Sequence, residues 1–149
     1  MTTKEKLLAL LEDSKGTFFS GEEIARTLQV SRAAVWKAVN ALREDGYTID
    51  AVTNKGCRLS PDSDILSPQG IRRFLKPEYR DLNLTVLPTV PSTNALVREK
   101  ANQGCPEGCV IIAREQTAGR GRYGRQFFSP ADTGVYLSLL LRPTAYSPQ

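Results

Sequence analysis

The stretch "SRAAVWKAVNALREDG", Ser31 to Gly46, constrains the fold more than any other. Val35, Ala38, Val39 and Leu42 recur at the spacing of one helical face, so the segment predicts an amphipathic helix. Ser31 stands where an N-cap belongs, and Gly46 supplies the stop. Such a helix needs neighbours to cover its apolar stripe, and the sequence before it offers two. "TTKEKLLALLEDSKG" places Leu7, Leu8, Leu10 and Leu11 between a capping Thr3 and a terminating Gly16. "SGEEIARTL" opens on Ser20, sets Glu22 and Glu23 in the first turn where they favour the helix dipole, and turns Ile24, Ala25 and Leu28 inward. Only Gln29 and Val30 separate that helix from Ser31. After Gly46, Thr48–Val52 and Cys57–Leu59 read as two strands joined by "TNKG", a hairpin turn. Three helices with a tight turn between the second and third, followed by a hairpin, predict a winged helix-turn-helix over residues 1–63.

The outward face of the third helix carries Ala33, Trp36, Lys37 and Asn40, with Arg32 at its start. A small alanine allows close approach, asparagine pairs with adenine, and arginine and lysine take guanine or phosphate. Lys55 and Arg58 in the wing are placed to grip phosphate. These residues are the candidate DNA interface. A bare three-helix domain with a solvated polar face has the same pattern, and a lone tryptophan is more often packing than a base contact. The hairpin in sequence order is what favours DNA.

Charge is unevenly spread. The chain of 149 residues has a formal net charge of +4, yet residues 1–66 alone sum to −1. A DNA-binding surface in the first half must therefore be local. An odd count of three cysteines favours a reducing cytoplasm over a disulfide framework. "CPEGC" has no second pair and the chain has no histidine, which argues against a protein-bound metal and removes the usual near-neutral acid–base catalyst. No apolar run is long enough to span a membrane, and the N-terminus lacks a signal-peptide pattern.

"PDSDILSPQ" reads as a linker. A helix "SPQGIRRFL" follows, with Ser67 as cap and Pro68 first. Beyond it come a strand over 82–90, a helix from Ser92 or Thr93 to Asn102, a strand over 109–115 and a strand over 134–142. The class is α+β, with a mixed α/β second half over residues 64–149 that looks interrupted and thin in core.

Between the last two strands lies "QTAGRGRYGRQFFSP", Gln116 to Pro130. Gly119, Gly121 and Gly124 let backbone pass close to a ligand, and Arg120, Arg122 and Arg125 offer cationic forks for phosphate or carboxylate. The stretch is neither a P-loop nor a dinucleotide fingerprint. Its composition predicts a loop that is mobile until an anion orders it. By itself it also suits a solvated basic loop or an RNA-binding tract.

Together, "STN" at Ser92–Asn94, the glycine-arginine stretch and "GVYLSLLLRP" at Gly134–Pro143 resemble the biotin protein ligases, in that order and at suitable separations. With the winged helix in front, the likeness is to the bifunctional group that also represses biotin operons. It covers nearly the whole chain. The resemblance implies biotinyl-5′-AMP formation from biotin and ATP, with magnesium accompanying ATP, and transfer to a lysine of the biotin carboxyl carrier protein. It also implies repression of biotin synthesis and transport genes by a homodimer on operator DNA. It assigns biotin or adenylate contacts to Ser92, Thr93, Asn94, Gln116, Arg120, Gly121 and Arg122, and gives no role to Tyr123. The family has a downstream lysine segment that this sequence does not contain, so the 149 residues are expected to be catalytically incomplete. A non-catalytic biotin-responsive regulator is the alternative; an RNA-binding module is a third, disfavoured by the strands and helix framing the loop.

Overall fold

The computed structural model describes residues 1–143, which divide into two compact units, one of Met1–Phe74 and one from Leu75 onward. The first unit opens with α1, Thr3–Asp13. Its cap is Thr2 rather than Thr3: Thr2 Oγ1 accepts from Glu5 N while the Glu5 carboxylate accepts from Thr2 N, a reciprocal capping box. Helix α2, Gly21–Leu28, repeats the device with Ser20 and Glu23. Gln29 then adopts a left-handed conformation, and the chain turns into α3, Arg32–Glu44, capped by Ser31.

The expected stripe of α3, Val35, Ala38, Val39 and Leu42, is buried. It packs with Leu7, Leu11 and Ile24 into one core, closed by Ile49, Cys57 and Leu59. The last three belong to β1, Ile49–Val52, and β2, Gly56–Leu59, an antiparallel hairpin pairing Ile49 with Leu59 and Val52 with Gly56. Phe19 adds a bridge to Cys57, with backbone bonds of 2.9 Å in both directions. That closeness explains Gly56: a Cβ there would lie 2.0 Å from the Phe19 carbonyl oxygen, and its φ is +94°. Burial pushes the Cys57 thiol pKa up, so it behaves as a small apolar core group.

The segment read as a linker is docked on the first unit. Ser67, 1% exposed, caps the short helix α4, Pro68–Arg72, and donates to Glu12 Oε1 at 3.0 Å. Arg73 Nη1 lies 3.7 Å from Glu12 Oε2, Lys15 donates to the Ser63 carbonyl, and Ile65 packs against the core. The units therefore meet at 74/75, eleven residues beyond the 63/64 expected from composition. A buried glutamate needs such partners, and α1 supplies one that only the tertiary structure reveals.

In the second unit a 3₁₀ turn, Pro77–Tyr79, precedes β3, Leu84–Val90. Helix α5, Thr93–Asn102, crosses over to β4, Val110–Gln116, which is parallel to β3; β5, Tyr136–Leu139, is antiparallel to β4. The order β3-β4-β5 puts β4 in the centre, where its first four residues are buried, and leaves Pro88 on an edge strand that tolerates it. Strand β5 is shorter than the 134–142 expected. Val97 of α5 and Ile111 of β4 pack with Cys109 on one face of the sheet.

Candidate functional site

Helix α5 starts beside the C-terminal end of β4, and the start is heavily hydrogen-bonded. Ser92 caps it by accepting from Ala95 N. Gln116, the last residue of β4, accepts at Oε1 from both Thr93 N, at 2.8 Å, and Thr93 Oγ1, at 3.1 Å. Ser138 of β5 donates to Thr93 Oγ1 at 2.9 Å, and Gln116 Nε2 donates to Ser129 Oγ at 3.1 Å. The helix start, the end of β4, β5 and the return of the glycine-arginine segment are thus joined through two side chains, Thr93 and Gln116. With both bonds to Oε1 made, the Gln116 amide has a fixed orientation and one N–H left to offer.

The glycine-arginine segment is a hydrogen-bonded arm. Its base pairs Gln116 with Ser129, its middle pairs Arg120 with Gln126, and Phe127 N donates to Gly119 O at 2.9 Å. Gly119 is buried, and a Cβ there would lie 2.5 Å from the Phe127 carbonyl oxygen and 2.7 Å from Ser129 Oγ. The tip is a 3₁₀ turn, Arg122–Gly124, with Tyr123 left-handed at φ 58° and Gly124 at φ +72°. The backbone pairing between Gly119 and Phe127 is a feature that composition does not register.

Between arm, α5 and β5 lies a cavity of about 600 Å³. Of the residues proposed from sequence, Ser92, Thr93, Asn94, Gln116, Arg120 and Gly121 line it together. Arg122 does not. It lies at the tip, its guanidinium 5.5 Å from the Tyr123 ring centroid, with Gly124 and Arg125 beside it. Sequence reasoning missed Arg98, Phe127, Tyr136 and Ser138, which also line the cavity. Arg98 was findable, since it follows Asn94 by four residues on α5. Ser138 was not, because its position depends on the β4–β5 register.

In the first unit Arg32, Ala33, Trp36, Lys37 and Asn40 are all exposed along α3, and Lys55 is exposed in the wing turn. Trp36 keeps 49% of its surface in solvent. Arg58 has a different role. Its Nε donates to Asp50 Oδ2 at 2.9 Å, its Nη1 to Gly16 O at 3.4 Å, and its guanidinium sits 4.6 Å from the Phe18 ring centroid. A phosphate would have to compete with Asp50 for it.

Residues 3–58 match the family model of an HTH domain, and residues 86–149 match that of the biotin/lipoate A/B protein ligase family. The chain therefore carries a stretch similar to an HTH domain followed by one similar to the biotin/lipoate ligase family. It is 40% identical over 142 residues to the bifunctional ligase/repressor BirA of Bacillus subtilis, covering 95% of this chain and 44% of that protein. It is 37% identical over 141 residues to the protein of the same description from Escherichia coli, covering 95% and 42%. For the Salmonella typhimurium protein the identity is 36% over 136 residues, covering 91% and 40%. The chain spans less than half the length of these relatives.

Proposed function

We propose that the second unit binds biotin and its adenylate and that the first unit reads operator DNA, making the chain part of a biotin ligase that also represses transcription. The observation that carries the ligand reading is the convergence of Ser92, Thr93, Asn94, Gln116, Arg120 and Gly121 on one cavity. Hydroxyls, an amide and a helix start suit a ureido ring, which both donates and accepts. Arg120 suits the ligand's carboxylate. In the reaction this reading implies, a biotin carboxylate oxygen attacks the α-phosphorus of ATP and pyrophosphate leaves. A carrier lysine amine then attacks the acyl carbon and AMP leaves. The chain's contribution is to hold the carboxylate and phosphate together while offsetting their charge. Magnesium arrives on the nucleotide in this scheme, since the cavity lining contains no Asp or Glu.

The relatives' description as ligase/repressors and the exposed polar face of α3 support the DNA half. A homodimer would present two such helices to successive half-sites, with the adenylate favouring that dimer. The carboxyl carrier protein is the acceptor and the cytoplasm the compartment in this reading; among the described residues no helix is long and apolar enough to cross a membrane. Titration calorimetry with biotin tests the ligand half: saturable one-to-one binding is expected, and no binding at millimolar biotin contradicts it. Lys37→Ala combined with Asn40→Ala tests the DNA half. It should cost ~1–3 kcal/mol per good base contact in operator affinity at fixed salt while biotin binding is unchanged. Unchanged operator affinity contradicts the assignment of α3.

A further inference from the structure

We propose that Arg98 is a second anion-binding residue of the cavity, acting with Arg120 on the carboxylate or phosphate of the bound ligand. The proposal rests on the biotin reading for the identity of that ligand. Arg98 and Arg120 come from different elements, α5 and the arm, yet line the same cavity. No carboxylate lines it with them. Among the described residues neither arginine forms an ion pair, unlike Lys4, Arg58, Arg73 and Arg114. Glu99, next to Arg98, instead accepts from Gln103 Nε2 at 3.1 Å.

Position on the helix adds to this. Asn94 and Arg98 are four apart, so they share a face of α5, and that face looks into the cavity. Arg98 lies five residues beyond Thr93, which at ~1.5 Å per residue sets it about 7.5 Å further along the axis. Along α5 the cavity wall therefore runs from a neutral polar start, at Ser92 and Thr93, to the cation Arg98. Two guanidinium groups on one cavity repel each other when no anion is between them. An anion there meets two planar forks at once, the arrangement in which arginine outperforms lysine. A ligand with a hydrogen-bonding neutral head and an anionic tail matches that polarity.

The experiment measures binding of three probes to the parent protein, Arg98→Ala and Arg98→Lys. The probes are biotin, with a carboxylate; biotinamide, neutral; and biotinol-5′-AMP, with a phosphodiester. For Arg98→Ala, a loss of about tenfold or more is expected for at least one anionic probe, with biotinamide unchanged within about twofold. Loss on biotin assigns Arg98 to the carboxylate; loss on biotinol-5′-AMP alone assigns it to the phosphate. Arg98→Lys should recover part of that loss, and added salt should narrow the gap between parent and Arg98→Ala. Unchanged binding of all three probes overturns the proposal, and so does an equal loss that includes biotinamide, which would mark a structural role. A parent protein that binds none of the three overturns the biotin reading itself, and the proposal with it.

Discussion

The first unit keeps its leucines and isoleucines out of solvent, although Trp36 and Phe74 stay exposed at 49% and 86%, whereas the second leaves a row of leucines exposed on one strand face. Leu7, Leu11, Ile24 and Leu42 are 0% exposed, but Leu137, Leu139 and Leu141 are 55%, 44% and 62% exposed. These three share one face of β5 and its continuation, with Val135 at 61%. A helix must bury its stripe to be stable, and three short helices supply one another's cover. Strand β5 is held by its ladder to β4, so its pairing does not require both faces to be covered. Among the described residues, most of the fully buried large side chains lie in the first unit. In the second, the more demanding steric requirements sit where the arm closes on itself.

The largest expected effect follows directly. Leu42→Ala in the first unit should cost ~2–5 kcal/mol, because the cavity it leaves has packed walls. Leu139→Ala should change stability by only about 0.5 kcal/mol, as exposed positions do. Chemical denaturation of the two variants checks both values; equal losses would erase the contrast between the units.

Glycine replacements sharpen the comparison. At Gly56 a Cβ meets backbone at 2.0 Å in a left-handed conformation, and at Gly119 it meets backbone at 2.5 Å. Gly56→Ala should destabilise the first unit by ~1–3 kcal/mol through the displaced wing. Gly119→Ala should act on function instead, prying the base of the arm from Ser129 and weakening biotin at least about tenfold at modest cost in stability. Thermal melts paired with biotin titration separate the two. A Gly119→Ala protein that binds biotin normally would show that the closed base of the arm is not needed.

How far the sequence was legible follows the same divide. The three helices of the first unit were readable because caps, stripes and stops are local: Ser20, Ser31, Val35 and Leu42 all do what their spacing implies. Apart from the α1 cap, which is Thr2 and not Thr3, the exceptions there were long-range. Arg58 is taken by Asp50 and Phe18, and residues 61–73 are docked by the buried Glu12. In the second unit the strand and helix types were readable, and the resemblance named six residues that line the cavity, together with Arg122, which does not. The Thr93–Gln116 hydrogen bonds, the pairing of the arm and the place of Ser138 depend on register between distant segments, which no local pattern encodes.

The smallest expected effect concerns the capping boxes. Backbone and hydroxyl donors of Thr2 and Ser20 hold the Glu5 and Glu23 carboxyls below the ordinary glutamate range. A lowered folded-state pKa means that these contacts stabilise at and above the unfolded pKa, and that the contribution fades as pH falls through the folded value. Glu23→Gln should therefore lower the melting temperature slightly at neutral pH, and the difference from the parent should narrow in acid. A difference that widens on acidification would contradict the assignment.

The most direct measurement is amide NMR of the protein titrated with biotin. The cavity reading predicts saturable shifts at Thr93, Gln116, Arg120, Gly121 and Ser138, the residues that converge there from α5, β4, the arm and β5. Saturation with no change at those five amides, or changes confined to residues 1–74, would show that biotin binds elsewhere or not at all.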